Sequence, residues 1–210
     1  MAGRYDVAIS GSGPAARIEL IVQVLAPGAR ALSTGEVVSS ADLIVLAVPM
    51  HRFRELGREL FAGKILATAP AGTSVLVQEW FSSGRVVKSL NHLGYLKFDK
   101  SRRQRGSPGR IAIAAAGDDR GVVAVVLQLI DILGFDATDA GTLKAGLALQ
   151  PGGRMFGAGH SAKELSNLFR ARSSNSRVKK NLRSKSVRLR PTSDAATRPP
   201  GPVPAAPKDA

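Results

Sequence analysis

Residues 1–171 are expected to fold as an α/β domain around a mostly parallel sheet with flanking helices. Three observations predict it. Short β-branched or apolar runs alternate with stretches of helical periodicity. The run Leu43 to Val48 is apolar at every position, as in a strand buried on both faces. Turn residues punctuate the runs at the spacing of strand–helix units.

Tyr5 to Ile9 reads as a strand, and Gly11-Ser12-Gly13-Pro14 turns it into a helix from Arg17 to Leu25, with Ile18, Ile21, Val22 and Leu25 on one face. Proline at the helix start and Gly28 past its end are the expected punctuation. A short strand near Ala29 to Leu32 and a helical turn from Thr34 to Ser40 lead to the apolar strand. Arg52 to Phe61 is expected as a helix, Lys64 to Ala67 as a strand, Ser74 to Phe81 as a helix and Arg85 to Ser89 as a strand. Ile111 to Ala115 and Phe135 to Ala137 are strands flanking an amphipathic helix from Asp118 to Leu133, whose Val122, Val125, Val126, Leu129 and Leu133 recur at helical spacing. A last helix runs from Ser161 to Arg170, with Ser161 and Glu164 forming a capping box.

Composition narrows the function. The 210 residues include no cysteine, which excludes disulfide staples and thiolate metal sites, so stability rests on an apolar core. The longest apolar run, Leu43 to Met50, falls well short of the roughly twenty residues needed to span a bilayer. With no signal-peptide stretch at the start, the expected address is the cytoplasm, with no membrane partner. The net charge of +14 is uneven: residues 172–210 carry ten Lys plus Arg and two Asp, leaving +6 for the rest. That tail, rich in Ser and Arg and then in Pro and Ala, is expected to be disordered. Without aromatic residues for base stacking, a solvated tail is favoured over one that binds nucleic acid.

The chemistry-bearing segments are few. Gly11-Ser12-Gly13-Pro14-Ala15-Ala16 follows a strand and opens a helix, matching a G-x-G-x-x-G/A phosphate loop, in which glycine lets the backbone approach a pyrophosphate. Such a turn forms with or without a ligand. The nearest acid that would hold a ribose is Glu36, twenty-five residues past Gly11. Ala47-Val48-Pro49 ends the most apolar strand, at the carboxyl edge where cofactors commonly rest. Lys88-Ser89-Leu90-Asn91-His92 runs from a strand into polar groups. Asn91 is suited to a carboxamide or ribose and His92 to a substrate oxygen, although a histidine with no identified partner is more often structural. His51, His92 and His160 lack metal-ligand spacing, and no nucleophile elbow occurs, so no catalytic side chain and no metal are expected.

These segments resemble a family when taken in order. Asp42 to Pro49, Val77-Gln78-Glu79-Trp80-Phe81, Val86 to Tyr95, Gly117-Asp118-Asp119, Leu133-Gly134-Phe135, Asp139-Ala140-Gly141 and Leu149-Gln150-Pro151-Gly152 occur as in NADP-dependent reductases of the deazaflavin coenzyme F420. The resemblance covers residues 4–170. It implies a Rossmann-type domain and hydride transfer between NADPH and F420, with NADP(H) and F420 as small-molecule cofactors and a homodimer as the assembly. On this register Tyr5 to Gly13 is similar to the family's second strand, and the usual first strand and helix are absent. Ser10, Gly11, Ser12 and Gly13 then stand near the adenosine 2′-phosphate, while Val48, Pro49 and Asn91 line the crevice.

Two departures accompany the resemblance. Gly13 replaces an arginine that often follows the serine, with Arg17 as its substitute, and the segment between Ile65 and Val77 is short where relatives carry an Asn-Tyr pair. Loss of the first strand would leave its neighbours with unpaired backbone. The opposing readings are a truncated, non-catalytic nucleotide-binding or interaction protein with a basic tail, and another small NAD(P)-dependent imine or ketone reductase.

Overall fold

A computed structural model describes residues 5–49, 51–68, 74–152 and 155–171. The tail, residues 172–210, and residues 69–73 of the shortened segment lie outside the described residues. The chain divides into two compact units, Met1–Arg172 and Ser173–Ala210, and all the described residues belong to the first.

Its sheet is in two parts. Strands β1 (Ala8–Ile9) and β2 (Arg30–Ala31) pair in parallel as a two-stranded sheet, joined by a 3-10 turn (Ala15–Arg17) and helix α1 (Glu19–Leu25). Helix α2 (Thr34–Ser40) leads to a five-stranded sheet in sequence order: β3 (Leu43–Leu46), β4 (Ile65–Thr68), β5 (Arg85–Lys88), β6 (Ala112–Gly117) and β7 (Asp136–Gly141). All its pairings are parallel except β5 with β6. Helices α3 (Ser74–Trp80), α4 (Tyr95–Phe98) and α5 (Arg120–Ile132) flank it, with a 3-10 helix over Leu143–Leu149 and a last helix, α6, over residues 162–171. The mixed, mostly parallel α/β fold is as expected. Among the described residues no helix is long and apolar enough to cross a membrane.

Most elements fall where periodicity places them, and their caps show why. Ser33 and Glu36 form a capping box at α2, Asp119 accepts from the Val122 N–H at the start of α5, and Ser161 and Glu164 bond reciprocally ahead of α6. The core has three apolar clusters. Ile44, Leu46, Phe53, Phe61, Val77 and Phe81 fill one; Val87, Ile113, Val123, Val126 and Phe135 a second; Ala114, Ala116, Leu149, Leu165 and Phe169 a third.

Three expectations are corrected. β3 is an edge strand: it bonds only to β4, and although Ile44 and Leu46 are buried, Val45 is 47% exposed. Along α1 only Val22 is buried; Ile21 and Leu25, expected to face the core, are 56% and 77% exposed. Among the described residues β1 and β3 each pair on one side only, so the apolar pattern there has fewer neighbours to pack on. Arg52 to Phe61 is not one helix but two 3-10 turns, Phe53–Glu55 and Arg58–Phe61, because Leu56 and Gly57 are extended; a glycine in a helix interior costs about 1 kcal/mol.

Candidate functional site

The carboxyl ends of the parallel strands carry the candidate groups. Ser10 to Gly13 follow β1, Val48 and Pro49 follow β3, and Asn91 lies three residues past β5. Val48, Pro49 and Asn91 share one edge of the five-stranded sheet, separated by β4, or about two strand spacings of 4.8 Å. Ser10 to Gly13 belong to the two-stranded sheet, and no strand pairing ties them to that edge.

The glycine loop is shaped by close approach, not by backbone conformation, since neither Gly11 nor Gly13 is among the glycines at positive φ. A Cβ on Gly11 would stand 3.0 Å from Ile18 Cγ2, and one on Gly13 would stand 3.2 Å from Arg17 Cδ and 3.3 Å from its Nη1. The Arg17 side chain therefore folds back across Gly13, with Ser12 exposed beside it. This brings a cation to the loop where position 13 itself has none. Glu36 is committed elsewhere: both the Ser33 N–H and its hydroxyl donate to Glu36 Oε2, which holds the carboxyl below its ordinary range, so Glu36 serves as a helix cap.

The β5 exit is tightly constrained. Leu90 has φ +62°, the only positive φ of a non-glycine among the described residues, a conformation that costs a side-chain-bearing residue roughly 1–2 kcal/mol. Hydrogen bonds on either side hold it: Ser89 Oγ donates to the Ala114 carbonyl at 2.9 Å, Asn91 Nδ2 to the Leu149 carbonyl at 2.9 Å, and the Ala114 N–H to His92 Nε2 at 3.3 Å. With its amide nitrogen so committed, Asn91 presents Oδ1 as a buried acceptor without a partner.

His92 takes the structural arrangement that is the commoner one for such a histidine, with Nε2 accepting from the Ala114 N–H and Nδ1 buried without a hydrogen-bond partner. It is 95% buried, spends Nε2 on backbone, and its pKa is lowered to about 4 by burial first, with the charges of His160 and Lys88 adding to the effect. It acts as a neutral brace between β5 and β6. Lys88, which the strand pattern did not single out as a site, is also buried, and burial lowers its pKa to about 8. Its position in the Val86-Val87-Lys88 run is the signal that could have marked it. A groove of about 640 Å³ lies apart from these residues, lined by Arg105, Arg110, Gln128, Asp131 and Asp136 among others.

Against this geometry, the family comparison bears on the amino-terminal part alone. Residues 1–72 match the family described as NADP oxidoreductase, coenzyme F420-dependent. The matched stretch holds the glycine loop, Arg17 and the β3 exit. No curated protein matches the chain. Among solved structures, a hypothetical protein from Sinorhizobium meliloti is similar at 21% identity and a TM-score of 0.64, over 74% of this chain and 83% of that one. A protein from Arthrobacter sp. FB24, described as a candidate F420-dependent NADP-reductase, is similar at 21% identity and a TM-score of 0.52, over 68% of this chain and 87% of that one. These two likenesses establish the fold, and the F420-dependent oxidoreductase match identifies the family to which residues 1–72 are similar.

Proposed function

We propose that the chain binds NADP(H) and transfers hydride between NADPH and the deazaflavin coenzyme F420. The observation carrying this reading is Arg17 folded across Gly13 beside the exposed Ser12 hydroxyl, within a segment that matches the F420-dependent NADP oxidoreductase family. A guanidinium and a hydroxyl on a glycine loop suit a phosphate monoester, such as the adenosine 2′-phosphate that distinguishes NADP from NAD. Ser10 and Gly11 complete that end of the site. At the other end, the unpartnered Asn91 Oδ1 suits an amide or hydroxyl donor, and the half-buried Val48 with the exposed Pro49 would give a ring an apolar contact.

The two cofactors supply the hydride donor and acceptor when bound. The chain's part is to hold their faces in reach and keep water out, which requires no catalytic side chain of its own. A cytoplasmic homodimer is the setting this reading implies. Its test is to mix the purified protein with NADPH and oxidised F420 and follow the deazaflavin absorbance, with NADPH binding measured separately by fluorescence. Bleaching supports the reading. Binding without bleaching leaves a nucleotide-binding protein without this activity, and absence of binding overturns the proposal.

A further inference from the structure

The connection between β5 and β6 holds nearly all the excess charge of residues 1–171. Its residues 97–110 contain six basic residues and one acid, a charge of +5, where residues 1–171 as a whole carry +6. Lys97, Lys100, Arg102, Arg103 and Arg105 are all exposed. Part of the charge is spent within the fold: Arg110 is buried on Asp131 and Asp136, Arg105 also meets Asp131, and Arg102 meets Asp99. Lys97, Lys100 and Arg103 form no ion pair among the described residues, and the Arg103 guanidinium donates to the backbone carbonyls of Lys100 and Arg102.

Topology places this charge beside the candidate crevice. β5 and β6 are antiparallel, so their connection starts and finishes at one end of the sheet, the end that carries Val48, Pro49 and Asn91. β7 is parallel to β6, so its amino end lies there as well. Lys97 is six residues past Asn91, at most about 20 Å of chain away. Further along, the Arg103 N–H donates to the Gly134 carbonyl at 3.0 Å and Arg102 Nε to the Leu133 carbonyl at 3.1 Å, just ahead of β7. A Cβ on Gly134, at φ +95°, would stand 3.2 Å from Arg102 Cβ, so the connection is seated closely on that turn. Its cations therefore form a preorganised array along this end of the sheet.

Such an array gathers an anionic ligand and holds a flexible charged chain through several weak contacts. Coenzyme F420 carries its ring on a ribityl chain continued by a phosphodiester and glutamate carboxylates, a flexible polyanion attached to the ring that the crevice would hold. We propose that Lys97, Lys100 and Arg103 take the phosphate and carboxylates of that side chain, so that the β5–β6 connection selects a deazaflavin with an acidic side chain over the bare ring. The inference rests on the hydride-transfer reading above. A nucleic-acid strand is the less suited polyanion, because residues 99–110 include no aromatic side chain on which a base could stack.

The test titrates the full chain against F420 and against the truncated deazaflavin that keeps the ring and ribityl group but has no phosphate or carboxylate, following the fluorescence of each. F420 should bind about tenfold more tightly at low salt, the sum of several exposed charge contacts, and the difference should close as salt is added. The combined variant Lys97→Gln, Lys100→Gln, Arg103→Gln should abolish the difference while its far-UV circular dichroism and its affinities for truncated deazaflavin and NADPH stay unchanged. Arg85→Gln, which removes an exposed charge at the opposite end of β5, should retain the difference. Equal affinity for the two deazaflavins, or a difference that the combined variant keeps, overturns this inference and leaves the hydride-transfer reading standing. Binding of neither deazaflavin, with NADPH still bound, overturns both. Salt-dependent binding of a single-stranded oligonucleotide that the combined variant loses, with no difference between the deazaflavins, assigns the array to nucleic acid and overturns the proposal as well.

Discussion

Gly146 sits directly over Lys88. A Cβ on Gly146 would stand 2.9 Å from Lys88 Cγ and 3.0 Å from its Cβ, with Ala116 Cβ at 3.3 Å behind. The 3-10 helix over Leu143–Leu149 can press onto β5 and β6 only because position 146 has no side chain. Gly146→Ala is expected to destabilise the fold by about 1–3 kcal/mol through overpacking. Thermal unfolding checks this, and a midpoint unchanged from wild type would count against so close a contact.

The same buried layer sets a pH dependence with a definite sign. His92 has an ordinary pKa of 6.5, lowered to about 4 in the folded chain by burial, so between these values the unfolded chain binds a proton that the folded chain refuses. Stability contributed by neutral His92 is complete above pH 6.5 and is lost as pH falls towards 4, by at most about 3 kcal/mol. Lys88, lowered from 10.5 to about 8 by burial, acts in the same direction at the alkaline end: stability rises as pH goes from 8 to 10.5. Urea unfolding across pH 4–10.5 should show both rises. His92→Gln, which retains an acceptor for the Ala114 N–H, should flatten the acid limb alone; an acid limb that keeps its slope in this variant would remove His92 from the account.

Periodicity and punctuation make much of this fold legible in the sequence. The amphipathic α5, the capped α2 and α6, and five of the strands are local patterns, and each forms close to where its pattern lies. The errors share a different character. Apolar patterning states that Val45, Ile21 and Leu25 are suited to burial, but not whether a neighbour is present, and among the described residues all three stay exposed. At the site, the Ser10–Gly13 loop and the β3 and β5 exits were visible as strand ends. The Leu90 backbone, the committed amide of Asn91 and the burial of Lys88 depend on the 3-10 helix over Leu143–Leu149, which joins them from more than fifty residues away.

Arg17 provides the sharpest test of cofactor choice. If its guanidinium, folded across Gly13, takes the 2′-phosphate, Arg17→Ala removes a charge-assisted contact worth about 1.5–3 kcal/mol. NADPH affinity should fall roughly 10- to 100-fold while NADH affinity changes little. Titration of each nucleotide against wild type and variant decides the matter. Equal losses for both would place Arg17 outside phosphate recognition and make it a packing residue of the loop.

Arg110 separates a buried ion pair from exposed ones in the same chain. Its side chain is 4% exposed and joins two elements: Nη1 donates to Asp136 Oδ1 at 2.8 Å, at the start of β7, and Nη2 to the side chain and carbonyl of Asp131 at the end of α5, each at 3.0 Å. Arg105 meets the same Asp131 from an 80% exposed position. Removing a buried partner leaves its counter-charges uncompensated, at about 3–5 kcal/mol for fully buried pairs. Asp131 and Asp136 retain 29% and 36% exposure and regain some hydration, so Arg110→Leu is expected to cost less, about 2–3 kcal/mol. Arg105→Ala, exposed and screened by salt, should change stability far less than Arg110→Leu. Denaturant unfolding of both variants at low and high salt checks the contrast: the Arg105 effect should fade with salt and the Arg110 effect should persist. Similar costs for the two would show that Asp131 is held by charge at the surface and that Arg110 fastens nothing beneath it.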